Sequence, residues 1–140
     1  MQSFMRIFFV LIIAVCIYGD SSEEKRETQR QISEKCKKEV GITEDRPHGP
    51  PNLDDPKEKC LHACFMKESG ILVDGKVAVE NVTNFHKKHW PNFNDETEKK
   101  ITSCVETANE KSDECDIAAA MMKCIHEKLG PPPPFPRHKE

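Results

Sequence analysis

The sequence predicts an all-α domain stapled by disulfides, and three observations carry that prediction. Apolar residues recur at helical spacing through most of the chain, and only one short stretch looks strand-like. Of seven cysteines, one falls in an N-terminal apolar segment and six follow it, an even set that reads as three bridges. What remains beyond that segment has so little apolar area that it would be marginal without staples.

The 140 residues suit a single domain. The opening "MQSFMRIFFVLIIAVCIYGD" sets Arg6 before an unbroken apolar run from Ile7 to Tyr18, then Gly19. The run is too short to span a bilayer comfortably and no second one follows, so residues 1–19 read as a secretory signal peptide rather than an uncleaved anchor. Cleavage near Gly19 removes Arg6 and no acid, moving the net charge from -3 to -4. It also removes Cys16, the sole tyrosine Tyr18 and 15 hydrophobic residues, leaving a chain less than a third hydrophobic. A weakly acidic secreted chain is a poor partner for nucleic acid or anionic membrane.

The elements follow in order. Residues 20–31, "DSSEEKRETQRQ", are charged; Ile32, Cys36 and Val40 then recur every four residues, predicting a helix that runs to Gly41. "EDRPHGPPNLDDP" is a loop by its proline and glycine content. The second helix has Asp54 or Asp55 as cap, Pro56 in its first turn and Gly70 as its stop, with Cys60 and Cys64 on one face. "ILVDGKV" reads as a buried apolar loop rather than a hairpin, since no other strand pattern exists to pair with it. A third helix, about Ala78 to His89, ends before Pro91 and carries Ala78, Val79, Val82, Phe85, His86 and His89 on one face. A fourth starts at Asn94 or Asp95 and repeats Ile101, Cys104, Val105 and Ala108. The last helix, Glu114 to Gly130, is apolar nearly all round, which places it centrally. The tail, residues 131–140, is proline-rich and cannot be helical.

At about 100° per residue, Cys115 and Cys124 point to opposite sides of that last helix. A central helix so equipped can be bolted to a neighbour on each flank. The residues alone leave fifteen pairings open. A zinc site is not indicated, because the spacings lack paired short knuckles. Nor is there an enzyme constellation: every mature cysteine is committed, and G-x-S-x-G, H-E-x-x-H and phosphate-binding glycine loops are missing. His86 and His89 lack a third metal ligand, and neither metal nor cofactor is expected. Asn81-Val82-Thr83 is a sequon, so Asn81 is a candidate glycosylation site.

The frame C-x23-C-x3-C-x39-C-x10-C-x8-C, with "DGKV" after the Cys64 helix and "CDIAAAMMKCIHE" near the end, resembles the insect odorant-binding proteins of the pheromone-binding and general odorant-binding kind. The likeness runs from Cys36 to Cys124. It implies bridges Cys36–Cys64, Cys60–Cys115 and Cys104–Cys124, and about six helices around a hydrophobic pocket over residues 20–130. It further implies a secreted carrier that takes small hydrophobic volatiles, odorants or pheromones, through aqueous fluid to chemosensory receptors. The same scaffold used outside olfaction, as a venom, salivary or seminal-fluid factor or a carrier of other lipids, is the alternative.

Given such a pocket, inward positions on the helical faces nominate its walls: Leu72 and Val73, Phe85 and Trp90, Ile101 and Val105, and Met121, Met122 and Ile125. Without a tyrosine, a polar ligand group must use Thr102, Asn109, a histidine or backbone. His86 and His89 are a candidate pH switch, since acid would charge imidazoles bordering an apolar pocket. The prolines of the tail bar the C-terminal helix that some moth pheromone carriers insert into their pocket, while leaving Phe135 as the tail's one large apolar side chain.

Overall fold

The computed structural model describes residues 21–43 and 50–131, with no side-chain detail at 21–23. The elements are α1 (Ser21–Val40), α2 (Pro56–Glu68), β1 (Leu72–Val73), β2 (Lys76–Val77), α3 (Val79–His89), α4 (Asp95–Asn109) and α5 (Glu114–Leu129). The fold is all-α, with five helices among the described residues against the six or so expected. The signal peptide at 1–19 and Phe135 of the tail lie outside the described residues.

The chain divides after residue 34 into two units. In the first, α1 starts well before the apolar stripe that opens at Ile32. Its polar turns carry it there through four-residue contacts: Thr28 Oγ1 donates to the Glu24 carbonyl at 2.8 Å, Gln31 donates to Glu27 at 3.1 Å, and Arg30 pairs with Glu34 at 3.3 Å.

In the second unit, residues 35–140, local chemistry sets the helix ends. The Asp55 carboxylate accepts from the amides of Lys57 and Glu58, and Pro56 takes the first turn, where no amide hydrogen is needed. Asn94 caps α4 through the Thr97 amide at 2.9 Å, and Asp113 caps α5 through those of Cys115 and Asp116. Gly70 follows α2 at φ +72°, a left-handed conformation open to glycine that turns the chain out of the helix.

Helix α5 packs along both α2 and α4. Cys60–Cys115 joins it to α2, Cys104–Cys124 joins it to α4 from its other side, and Cys36–Cys64 joins the end of α1 to α2. These are the three pairs that the resemblance implies. The bridged residues are 28, 55 and 20 positions apart, for which loop closure gives about 3–4 kcal/mol each. One apolar cluster fills the space between the elements, with Ile101, Ile117 and Val105 at its fully buried centre. Leu72 and Val77 enter it from the strands, Val82 from α3, and Ala118 and Met121 from α5.

"ILVDGKV" is a hairpin, not a loop. Leu72 pairs with Val77 and Val73 with Lys76, and Asp74 and Gly75 both take positive φ (50° and 77°), the signature of a type I′ turn. Two strands this short are unstable alone, and the fold supplies what a third strand would. The Asn109 side chain accepts from the Val77 amide at 2.8 Å and donates to its carbonyl at 3.1 Å. Lys76 Nζ donates to the carbonyls of Asn109 and Lys111 at the end of α4. Alternation along the strand then buries Leu72 and turns Val73 outward, 44% exposed. Asn109→Ala strips both Val77 backbone groups of their side-chain partner. It should lower stability by about 1–3 kcal/mol, read as a shift in the urea midpoint with unchanged slope.

Candidate functional site

Of the nine nominated pocket residues, the structure gathers six. Leu72, Ile101, Val105 and Met121 belong to the buried cluster, and half-buried Phe85 and Ile125 pack against it. Trp90 and Met122 are half-buried outside it, and Val73 faces away. On α5 the buried side runs through Ile117, Ala118 and Met121, so Met121 rather than Met122 is the methionine of the core. Sequence reasoning passed over Met66 and Phe93, both of which pack on the cluster. Phe93 stands in the turn between α3 and α4, where helical spacing gives no signal, and Lys87 Nζ lies 5.4 Å from its ring centre.

A different, open groove of about 490 Å³ runs beside α2, with Val40, Ala63 and two of the bridges (Cys64 and Cys60–Cys115) in its lining. Glu39, Lys57 and an exposed Lys67–Glu114 pair at 3.0 Å also line it, and none of the nine nominated residues does.

The C-terminal half of α3 gives the apolar cluster a polar border. Phe85 stacks on His89 with centres 4.4 Å apart and meets His86 edge-on at 5.6 Å, and His86 lies 5.2 Å from Trp90. The two histidines, placed on one face by the sequence, part company here. His89 is exposed and its Nδ1 donates to the Phe85 carbonyl at 2.7 Å. His86 is half-buried, and its Nδ1 has no hydrogen-bond partner among the described residues; neither does the hydroxyl of Thr83, which is 5% exposed. The polar groups that the sequence nominated for a ligand are otherwise engaged. Thr102 Oγ1 donates to the Glu98 carbonyl at 3.0 Å, and Asn109 holds the hairpin. Asn81 of the sequon is exposed, with its amide donating to the Gly70 carbonyl at 2.8 Å, while Thr83 of the same sequon is buried. Among the described residues no group of three His, Cys, Asp or Glu could hold a metal, and no helix is long and apolar enough to cross a membrane.

Burial lowers the His86 imidazole from 6.5 to about 4, with the charge of neighbouring His89 as the second cause. Between those values the unfolded chain binds a proton that the folded one refuses. The contribution of neutral His86 to stability is therefore intact above pH 6.5, declines as pH falls towards 4, and is lost below that. Asp54, Asp116 and Glu96 are each held below their ordinary values by a lysine partner. Melting temperature should fall from pH 6.5 to 4.5 in the wild type and fall less in His86→Gln, with differential scanning calorimetry as the check.

The PBP/GOBP family model matches residues 19–128. The "B1 protein" of Tenebrio molitor is 30% identical over 118 residues, covering 82% of this chain and 88% of that protein. No solved structure is significantly similar. A match over the whole bridged region settles the relationship: the chain belongs to the PBP/GOBP family of insect odorant-binding proteins.

Proposed function

We propose that the protein is a secreted carrier that takes up small hydrophobic odorants or pheromones and delivers them to chemosensory receptors. The observation that carries the reading is the family match across the whole bridged region. The family binds small hydrophobic ligands, and the apolar cluster between β1, α3, α4 and α5 supports placing the ligand beside it. Half-buried Phe85 and Ile125, rather than the fully packed Ile101 and Val105, would meet the ligand first, since they retain accessible area at the border of the cluster. The candidate pH switch centres on His86, which burial holds neutral.

Such a carrier needs shape and apolar area, with no chemistry. A ligand burying about 300 Å² gains roughly 7 kcal/mol at about 25 cal/mol/Å². Ordering costs subtract from this, which leaves affinities on the order of micromolar, weak enough for release. In a titration with the fluorescent dye N-phenyl-naphthylamine, volatiles should displace the dye with dissociation constants on that scale. The emission of Trp90, the sole tryptophan, should change as they bind. Phe85→Ala should weaken the dye about tenfold with helical circular dichroism unchanged. A dye that does not bind the folded wild type would sink the carrier reading.

A further inference from the structure

A buried polar atom left without a partner is costly, and folded proteins keep few of them. Two stand together on α3, Thr83 Oγ1 and His86 Nδ1. Thr83 has an easy remedy that it does not take. The helical residues Thr28, Thr102 and Thr107 each donate to the carbonyl four residues back, at 2.8, 3.0 and 3.0 Å. Thr83, more buried than any of them, makes no such bond. Its hydroxyl and the His86 nitrogen are three residues apart on the helix, where side chains neighbour one another with Cβ atoms about 5–6 Å apart. That neighbourhood lets a ligand oxygen approaching this face of α3 be offered to both.

We infer that Thr83 and His86 form a polar subsite for the hydroxyl of an otherwise apolar alcohol, which donates to His86 Nδ1 and accepts from Thr83 Oγ1. This rests on the carrier reading and adds the chemical class of the ligand. The surroundings suit it. Val82 on the same helix belongs to the apolar cluster, and the Phe85 and Trp90 rings flank His86, so the ligand's body meets hydrocarbon while its oxygen meets the polar pair. His86 is uncharged at neutral pH, so Nδ1 offers a lone pair when the ring hydrogen sits on Nε2. The other groups the sequence nominated for this duty, Thr102 and Asn109, are already bonded.

Three ligands of nearly equal size separate the two hydrogen bonds. n-Decanol can donate and accept, methyl nonyl ether can only accept, and n-undecane can do neither. Each is titrated by dye displacement against wild type, Thr83→Val and His86→Phe, and each ligand is compared only with itself across proteins, so that differences in water solubility cancel. Thr83→Val should weaken decanol and the ether by about three- to tenfold and leave undecane unchanged; His86→Phe should weaken decanol by a similar factor and spare the other two. Removing an unpaired buried hydroxyl should also raise the melting temperature of ligand-free Thr83→Val by a few degrees. Equal losses for all three ligands, or no loss for decanol, would overturn the subsite while leaving the carrier reading intact. A lower melting temperature for Thr83→Val would do the same, since it would give the hydroxyl a structural partner. Failure of the dye and all three ligands to bind wild type would remove the carrier reading itself, and the subsite with it.

Discussion

The arrangement depends on one constraint: α5 is held from both sides, to α2 through Cys60–Cys115 and to α4 through Cys104–Cys124. The two sulfurs on α5 are nine residues apart, half a rotation out of phase, so neither bridge can form with the helix rolled about its axis. That fixes which side of α5 meets the cluster, and Ile117, Ala118 and Met121 are buried there as a result. Position along the axis is fixed as well. Lys59 meets Asp116 at 2.9 Å and Lys123 meets Asp54 at 2.7 Å, partners that run in opposite order along the two segments. These pairs are largely solvent-exposed, and exposed pairs contribute little. They agree with a register that the covalent bonds impose.

Because α5 is pinned, the smaller pieces can be placed against it. The hairpin has four strand residues and would not persist alone, yet it lies where Leu72 and Val77 drop into the cluster and Asn109 serves its open side. It then sets the start of α3, whose first residues have no side-chain cap and follow directly from Val77, with the Ala78 amide bonded to the Ile71 carbonyl at 2.9 Å. Positioning of the Thr83 and His86 side chains therefore runs back through the hairpin to α4.

What was legible in the sequence was what is local. Asp55, Asn94, Pro56 and Gly70 act on residues within a turn of themselves, and the ends of α2 and α4 follow from them. Helical phase placed Cys115 and Cys124 correctly, and the six-cysteine frame identified the family. The hairpin was not legible because its third strand is a side chain, Asn109, more than thirty residues away. Val73 was misplaced with it, since a loop has no alternation to turn one residue out. Met122 and Met121 are adjacent and chemically alike, and only the packing of two flanking helices distinguishes them. The separation of His86 from His89, and the unpaired state of Thr83, arise in the same way from burial, which no window of residues contains.

The order of the bridges has a consequence for durability. Among the six bridged cysteines, the first joins the third, the second joins the fifth and the fourth joins the sixth, so each bridge overlaps the next. A protease that cuts any one peptide bond between Cys36 and Cys124 severs the backbone without releasing a fragment, because at least one bridge always spans the cut. The hairpin tip at Asp74-Gly75 and the turn before Asp113, the natural places for such a nick, both lie inside the Cys60–Cys115 loop. A protein exposed to digestive enzymes could thus be clipped once at either place and stay in one covalent piece.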